Sequence, residues 1–332
     1  MARKLSIGVN WAGNFDIDSI VEQAKIADDS GVHVLNIAEA WGPDALSLLA
    51  VVARETHSIK LGTSIINIFS RTPGAMAQHF ATLDHLSNGR MVIGLGSSGP
   101  QVIEHFHGVK FGKPLTRMHE YVDIINMLMR GEPLNYAGEI FKLSRGFTLR
   151  FDPLRDHIPI HIASITPKSL KQTAAIADGW LPIHLPREQW KPQIDAMSAY
   201  LEAAGRKRAD FVIRNPTGVR VTDDVEGARQ QVAGTTAFYI ARMGDFYYEH
   251  FIRMGYADEA NAVRRGWTEG GPAGGAAAIP PELVDQLGTA GSVEQCVEAM
   301  DAAEEAGFDW HSVGVDERDP NKRAEIYKSL VG

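Results

Sequence analysis

Residues 83–100 read LDHLSNGRMVIGLGSSGP, and four signals follow one another there without a gap. Asn88-Gly89 supplies the two residue types that best tolerate a left-handed backbone, so it ends a helix. Met91-Val92-Ile93 is apolar at consecutive positions, as a parallel strand covered on both faces must be. Gly94, Gly96 and Gly99 then let backbone come close to a neighbour or a ligand. Helix, turn, buried strand and glycine loop make one step of an alternating α/β fold, in which ligands sit at the carboxyl ends of the strands. The glycines alone fit a ligand loop or a tight connection equally, and the lysine of a nucleoside-triphosphate loop is missing.

The same step recurs on both sides of this stretch. A strand at 5–11 leads to a helix at 16–30 with Ile20, Ala24 and Ala27 on one face and Gly31 as its stop. A strand at 32–37 leads to a helix at 44–56 with Leu48, Leu49 and Val52 inward, and a strand at 59–66 to a helix opened by Thr72-Pro73, whose stripe is Met76, Phe80, Leu83 and Leu86. Beyond the glycine loop the rhythm loosens into a long loop (101–114), a helix (115–129) and a hairpin (134–152) turning at Ala137-Gly138. It resumes with strand 159–163, helix 167–177, strand 180–183, helix 187–204 and strand 211–221. Helices are expected at 224–239, 245–265, 280–287 and 292–306, and GGPAGGAAA (270–278) reads as a flexible loop or linker. Strand 308–315 and helix 320–331 close the chain. Eight strands, each answered by a helix, give an α/β parallel barrel or a doubly wound sheet. The count of eight favours a (β/α)8 TIM barrel, one domain over 1–332 with insertions near 100–156 and 235–290.

Composition limits the function classes. With 44% apolar and 22% charged residues in 332, a large core is possible and wholesale disorder is not expected. The net charge of −8 comes with interspersed signs and no basic run, so nucleic acid is not an expected partner. No stretch suits a membrane span or a signal peptide, and the single cysteine, Cys296, leaves no intrachain disulfide; a cytoplasmic protein is expected. Cys296 sits in a helical pattern and reads as a packing residue.

Chemistry is sought at strand ends. After the second strand, Glu39 and Trp41 place a carboxylate and an indole on the expected rim, while Asp44 reads as the cap of the next helix. Ala163, Ser164, Ile165 and Thr166 precede a helix start, which fits an anion held by amides or a plain hydroxyl cap. His184 follows the sixth strand and points to the rim, whereas His33 and His161 read as packing residues. The pair His105 and His107 has no third ligand in view, so no metal is expected, and there is no Gly-x-Ser-x-Gly elbow for acyl chemistry.

Taken together, AEAWGPDALSLLA (38–50), LGTSIINIFSRTP (61–73), ATLDHLSNGRMVIGLGSSGPQV (81–102), GKPLTRMHEYVDII (112–125) and IADGWLP (176–182) resemble the bacterial luciferase-like monooxygenase superfamily over nearly the whole chain. AEAWG, the GLG-SGPQ loop and IPPELVDQLGTAGSVEQ (279–295) look most like its coenzyme F420-dependent oxidoreductase branch. The resemblance implies a luciferase-like barrel with insertions and a homodimer formed through helices 44–56 and 73–87. It also implies a flavin-like ring at the carboxyl rim that exchanges a hydride with a small organic substrate of enone, imine, ketone or alcohol type. The family's bulge after the third strand falls on Ser64 and Ile65, with a cis peptide between them, and Asn67 falls near the ring's polar edge. Gly96 and Ser97 are further cofactor contacts, and the phosphate amides fall on Ala163, Ser164, Ile165 and Thr166. Sugar- and alcohol-oxidising relatives often carry Asp-His after the second strand and a glutamate in the fourth loop; here those places read Ala38-Glu39 and Ser97, which argues against sugar-phosphate and simple alcohol substrates. Glu39 is then the expected proton carrier, Trp41 the pocket wall and His184 the next proton group. An FMN-dependent monooxygenase of the same superfamily and a non-catalytic flavin-binding protein are the alternatives.

Overall fold

The computed structural model describes residues 2–9 and 15–332. They form two compact units, one of Ser6–Ser164 with Gln172–Leu181, the other of Met1–Leu5, Ile165–Lys171 and Pro182–Gly332. Eight parallel strands alternate with helices along the chain, the order of an α/β (β/α)8 barrel. Among the described residues no helix is long and apolar enough to cross a membrane.

In the first unit, β1 (Leu5–Val9), β2 (Val34–Ile37), β3 (Lys60–Thr63), β4 (Met91–Gly96), β5 (Ile160–Ile162) and β6 (Gly179–Trp180) pair in parallel in that order. Asn10 and Trp11, expected to extend β1, lie outside the described residues. Local chemistry ends the helices where it should. Asp16 caps Ile17–Asp29, Thr72 caps Pro73–Ser87 and that helix stops at Asn88 in the left-handed conformation, φ 57°. Arg90 then ties the turn down with all five of its N–H groups, which reach Ala53 O, Thr56 O, Thr56 Oγ1, Ile59 O and Ser87 O.

The central strand is longer than its apolar core suggests. β4 runs to Gly96 and is buried throughout, so Gly94 and Gly96 belong to the sheet and not to a loop. A Cβ on Gly94 would fall 1.8 Å from Thr63 O, and one on Gly96 would fall 2.8 Å from Ile65 Cδ1. Conversely, the strand expected at 59–66 stops at Thr63; the Ser64–Ile65 peptide is cis, and pairing to β4 resumes at Ile66–Asn67. The loop expected at 101–114 contains the short helix Pro100–His105, with proline in the first turn. In the hairpin Leu134–Ala137 with Lys142–Phe147, the buried Glu120 carboxylate of helix Pro114–Met129 accepts from the amides of Glu139, Ile140 and Phe141.

In the second unit, β7 (Val212–Val221) and β8 (Trp310–Val315) are parallel, and an unexpected strand, Gly288–Gly291, pairs with the carboxyl half of β7. The helix expected over 245–265 is two, Asp245–Arg253 and Ala257–Ala277, broken at Gly255 with φ 97°. The expected linker 270–278 is helical apart from a reversal at Gly271-Pro272. Two of its glycines serve packing: a Cβ on Gly274 would lie 2.3 Å from Gly266 O, so the two arms approach backbone to backbone, and one on Gly275 would lie 2.7 Å from the Trp267 ring.

Candidate functional site

At the end of β2 the first unit gathers charge. Glu39 accepts from Arg71 through both carboxylate oxygens, Nη1–Oε1 2.5 Å and Nη2–Oε2 3.1 Å, and also from the Ala45 amide at 3.2 Å. Arg71 reaches Asp44 as well, and Asp44 caps helix Ala45–Glu55 through the Ser47 amide. Burial would lower the Arg71 pKa, but Glu39 and Asp44 outweigh it and hold the guanidinium above its ordinary value. Asp44 thus has the capping role read from the sequence, and Glu39, expected on the rim as the proton carrier, also has a structural duty. Arg71 was missed, because nothing in IFSRTP signals a partner 32 positions away. Trp41 is 44% exposed.

Below this network, Ile65 O accepts from the Glu39 amide at 3.0 Å and the Ile65 side chain lies on bare Gly96. Ser97 Oγ donates to Ser98 O. Asn67 is 1% exposed and its Oδ1 takes the Phe69 and Ser70 amides, so much of its hydrogen bonding is committed to the turn that follows. Its Nδ2 stands 3.3 Å from His107 Nε2. Among the described residues no three His, Cys, Asp or Glu side chains could hold a metal ion. Burial pushes the Cys296 thiol up to about 11, the behaviour of a packing cysteine.

The strand-to-helix segment read as an anion site is partly committed. The Ala163 amide donates to Leu95 O and the Thr166 amide to Ser169 Oγ. Ser164 is buried with its Oγ 2.9 Å from Thr173 Oγ1, so its hydroxyl faces inward. Among the described residues, the amides of Ser164 and Ile165 have no hydrogen-bond partner. In the second unit, Arg253 donates to Ile165 O at 3.2 Å and has no carboxylate within salt-bridge distance among the described residues. It is a cation beside the start of helix Pro167–Ile176 that no spacing rule revealed.

His184 lies in the second unit with a left-handed backbone, φ 48°. Its ring is 4.7 Å from Tyr239, 6.0 Å from Tyr247 and 6.2 Å from Phe251, centroid to centroid. Nδ1 stands 3.5 Å from Thr236 Oγ1, and Nε2 is buried without a partner among the described residues. Burial, with His250 beside it, lowers the His184 pKa to about 3. The imidazole is therefore neutral near pH 7 and can offer or accept one hydrogen bond without charge.

These features can be set beside known proteins. The luciferase-like monooxygenase family model matches residues 5–310. A Mycobacterium tuberculosis protein provisionally named a coenzyme F420-dependent oxidoreductase is 35% identical over 326 residues, 92% of each chain. The 5,10-methylenetetrahydromethanopterin reductase of Archaeoglobus fulgidus is 29% identical over 309 residues, 91% of each chain. In structure, the coenzyme F420-dependent tetrahydromethanopterin reductase of Methanopyrus kandleri superposes with a TM-score of 0.83 at 21% identity, covering 100% of this chain and 99% of its own. The chain belongs to the luciferase-like monooxygenase family.

Proposed function

We propose that the protein is an oxidoreductase that binds coenzyme F420 and passes a hydride between it and a small organic substrate of enone, imine, ketone or alcohol type. The observation that carries this reading is the 35% identity, sustained over 92% of both chains, to a relative named for F420. The residues present suit such a coenzyme. The uncharged ledge of Ser64, Ile65, Gly96 and Ser97 fits a planar ring, with Asn67 behind it. In the second unit, the Ile165 amide, Thr166 and Arg253 fit a phosphate, with Ala163 and Ser164 preceding them in the chain.

When bound, the deazaflavin supplies the carbon that gives or takes the hydride. The chain's own part is to position the substrate and handle a proton. In the first unit, Trp41 shapes the substrate's surroundings and the Glu39 carboxylate, paired with Arg71, exchanges a proton; in the second unit, neutral His184 offers a hydrogen-bonding group at Nε2. The protein is also proposed to be a homodimer through helices Ala45–Glu55 and Pro73–Ser87, the former carrying Val51 at 42% exposure.

The test is to incubate the apo-protein with F420 and with FMN separately and measure which is retained, then to offer the reduced complex a panel of enones, imines and ketones. Retention of F420 with oxidation by a panel member is the expected result. Retention of FMN alone, with oxygen consumption, replaces the reading with a monooxygenase. Retention without turnover of any substrate favours a binding protein.

A further inference from the structure

Arg187 is a half-buried cation whose positive charge is not answered by any carboxylate among the described residues. It opens the single 3-10 turn Arg187–Gln189 that leads into helix Trp190–Ala203 of the second unit. Nη2 donates to Thr289 Oγ1, and the guanidinium lies 6.0 Å from the centre of the Trp190 ring. Nε is sealed from solvent without a hydrogen-bond partner among the described residues. The adjacent carboxylate does not compensate, because Glu188 instead takes the Tyr256 hydroxyl.

An uncompensated, partly desolvated guanidinium costs stability, so its persistence calls for a ligand that answers it. Its place fits that role. Thr289 belongs to Gly288–Gly291, which pairs with Gly218–Val221, the carboxyl half of β7. Carboxyl ends of strands are where folds of this class bind ligands. The Nη groups can give charge-assisted hydrogen bonds to a carboxylate or a phosphate, and the Thr289 hydroxyl that accepts from Nη2 adds a neutral hydrogen-bonding group.

We infer that Arg187 and Thr289 form an anion subsite that receives a carboxylate or phosphate group carried by the substrate. This rests on the proposed oxidoreductase reading only in assigning the anion to the substrate. Burial lowers the Arg187 pKa, with no acidic neighbour opposing it, in keeping with a cation that lacks its counter-charge. The guanidinium remains charged near neutrality all the same.

The experiment is calorimetric titration of the full chain, free of cofactor and at low salt, with inorganic phosphate and with acetate in separate runs. One of the two is expected to bind in an Arg187-dependent way, which identifies the preferred anion. Arg187→Met and Thr289→Val should each weaken that binding, the first by at least about tenfold, the scale for losing a charge-assisted pair. Arg187→Lys should recover part of it. Absence of binding by the unaltered chain to either anion overturns the inference, and so does equal affinity in Arg187→Met at an unchanged melting temperature. If Arg187→Met abolishes F420 retention, the arginine serves the cofactor and the assignment to substrate fails. Failure to retain F420 by the unaltered chain would instead count against the oxidoreductase reading and leave the anion titration standing.

Discussion

Arg71 grips Glu39 at two points, Nη1 to Oε1 at 2.5 Å and Nη2 to Oε2 at 3.1 Å, and the same Nη2 reaches Asp44. One arginine thereby joins the carboxylate after β2 to the cap of the following helix, so a change at Glu39 touches stability as well as the proton transfer proposed for it. Glu39→Gln keeps the shape but leaves Arg71 with one charged partner. It should cost about 2 kcal/mol, the scale of a hydrogen bond to a charged group, read from chemical denaturation. Turnover should fall by about 10²-fold with F420 retention nearly kept, as expected when a proton-transfer group is removed. Full turnover across the pH range would remove Glu39 from the proton transfer.

The cofactor's phosphate is best tested at Arg253. Ser164→Asp would bury a charge and break the contact with Thr173 Oγ1, so loss of binding there would be confounded with loss of fold. Arg253→Gln removes a cation from beside Ile165 O while keeping a donor. F420 affinity should drop by about tenfold at low salt, the scale of one charge-assisted contact, and the loss should shrink as salt is raised. An unchanged affinity in a fluorescence titration would remove Arg253 from the phosphate site.

Acid should destabilise the second unit through its two buried histidines. Burial is the main cause that lowers both from the ordinary 6.5, His184 to about 3 and His250 to about 4. Unfolding lets each imidazole regain its ordinary value, so the unfolded chain binds more protons between these values. The stabilisation is complete above pH 6.5 and is lost as pH falls through that window toward 4. His250→Gln should flatten this dependence, measured as melting temperature from pH 4 to 8; a slope identical to that of the unaltered chain would contradict the argument.

Glycines of one short stretch should differ sharply. Gly274→Ala drives a Cβ to 2.3 Å from Gly266 O and should cost about 1–3 kcal/mol, the range for overpacking. Gly270→Ala has open space and an ordinary φ, so it should be neutral or raise stability by about 0.5 kcal/mol through the unfolded chain. Denaturant midpoints of the two variants decide whether this stretch is a packed helical reversal or a linker.

The sequence by itself determined what depends on neighbours within a turn or two. Strand and helix alternation follows from apolar spacing, and the helix ends from Asp16, Asp44, Thr72-Pro73, Asn88-Gly89 and the Ser292–Gln295 capping box, all of which act locally. The cis Ser64–Ile65 peptide came from likeness to a family, since nothing in Ser-Ile alone requires it. Only tertiary structure decided which glycines face backbone: Gly94 and Gly274 are each fixed by a carbonyl brought to them from elsewhere in the chain. It likewise decided that Glu39 is held by Arg71, 32 positions on, and Thr289 by Arg187, 102 positions before it. A charge has no local signature of its partner, because Coulomb attraction and hydrogen bonding depend on distance in space and not on separation along the chain.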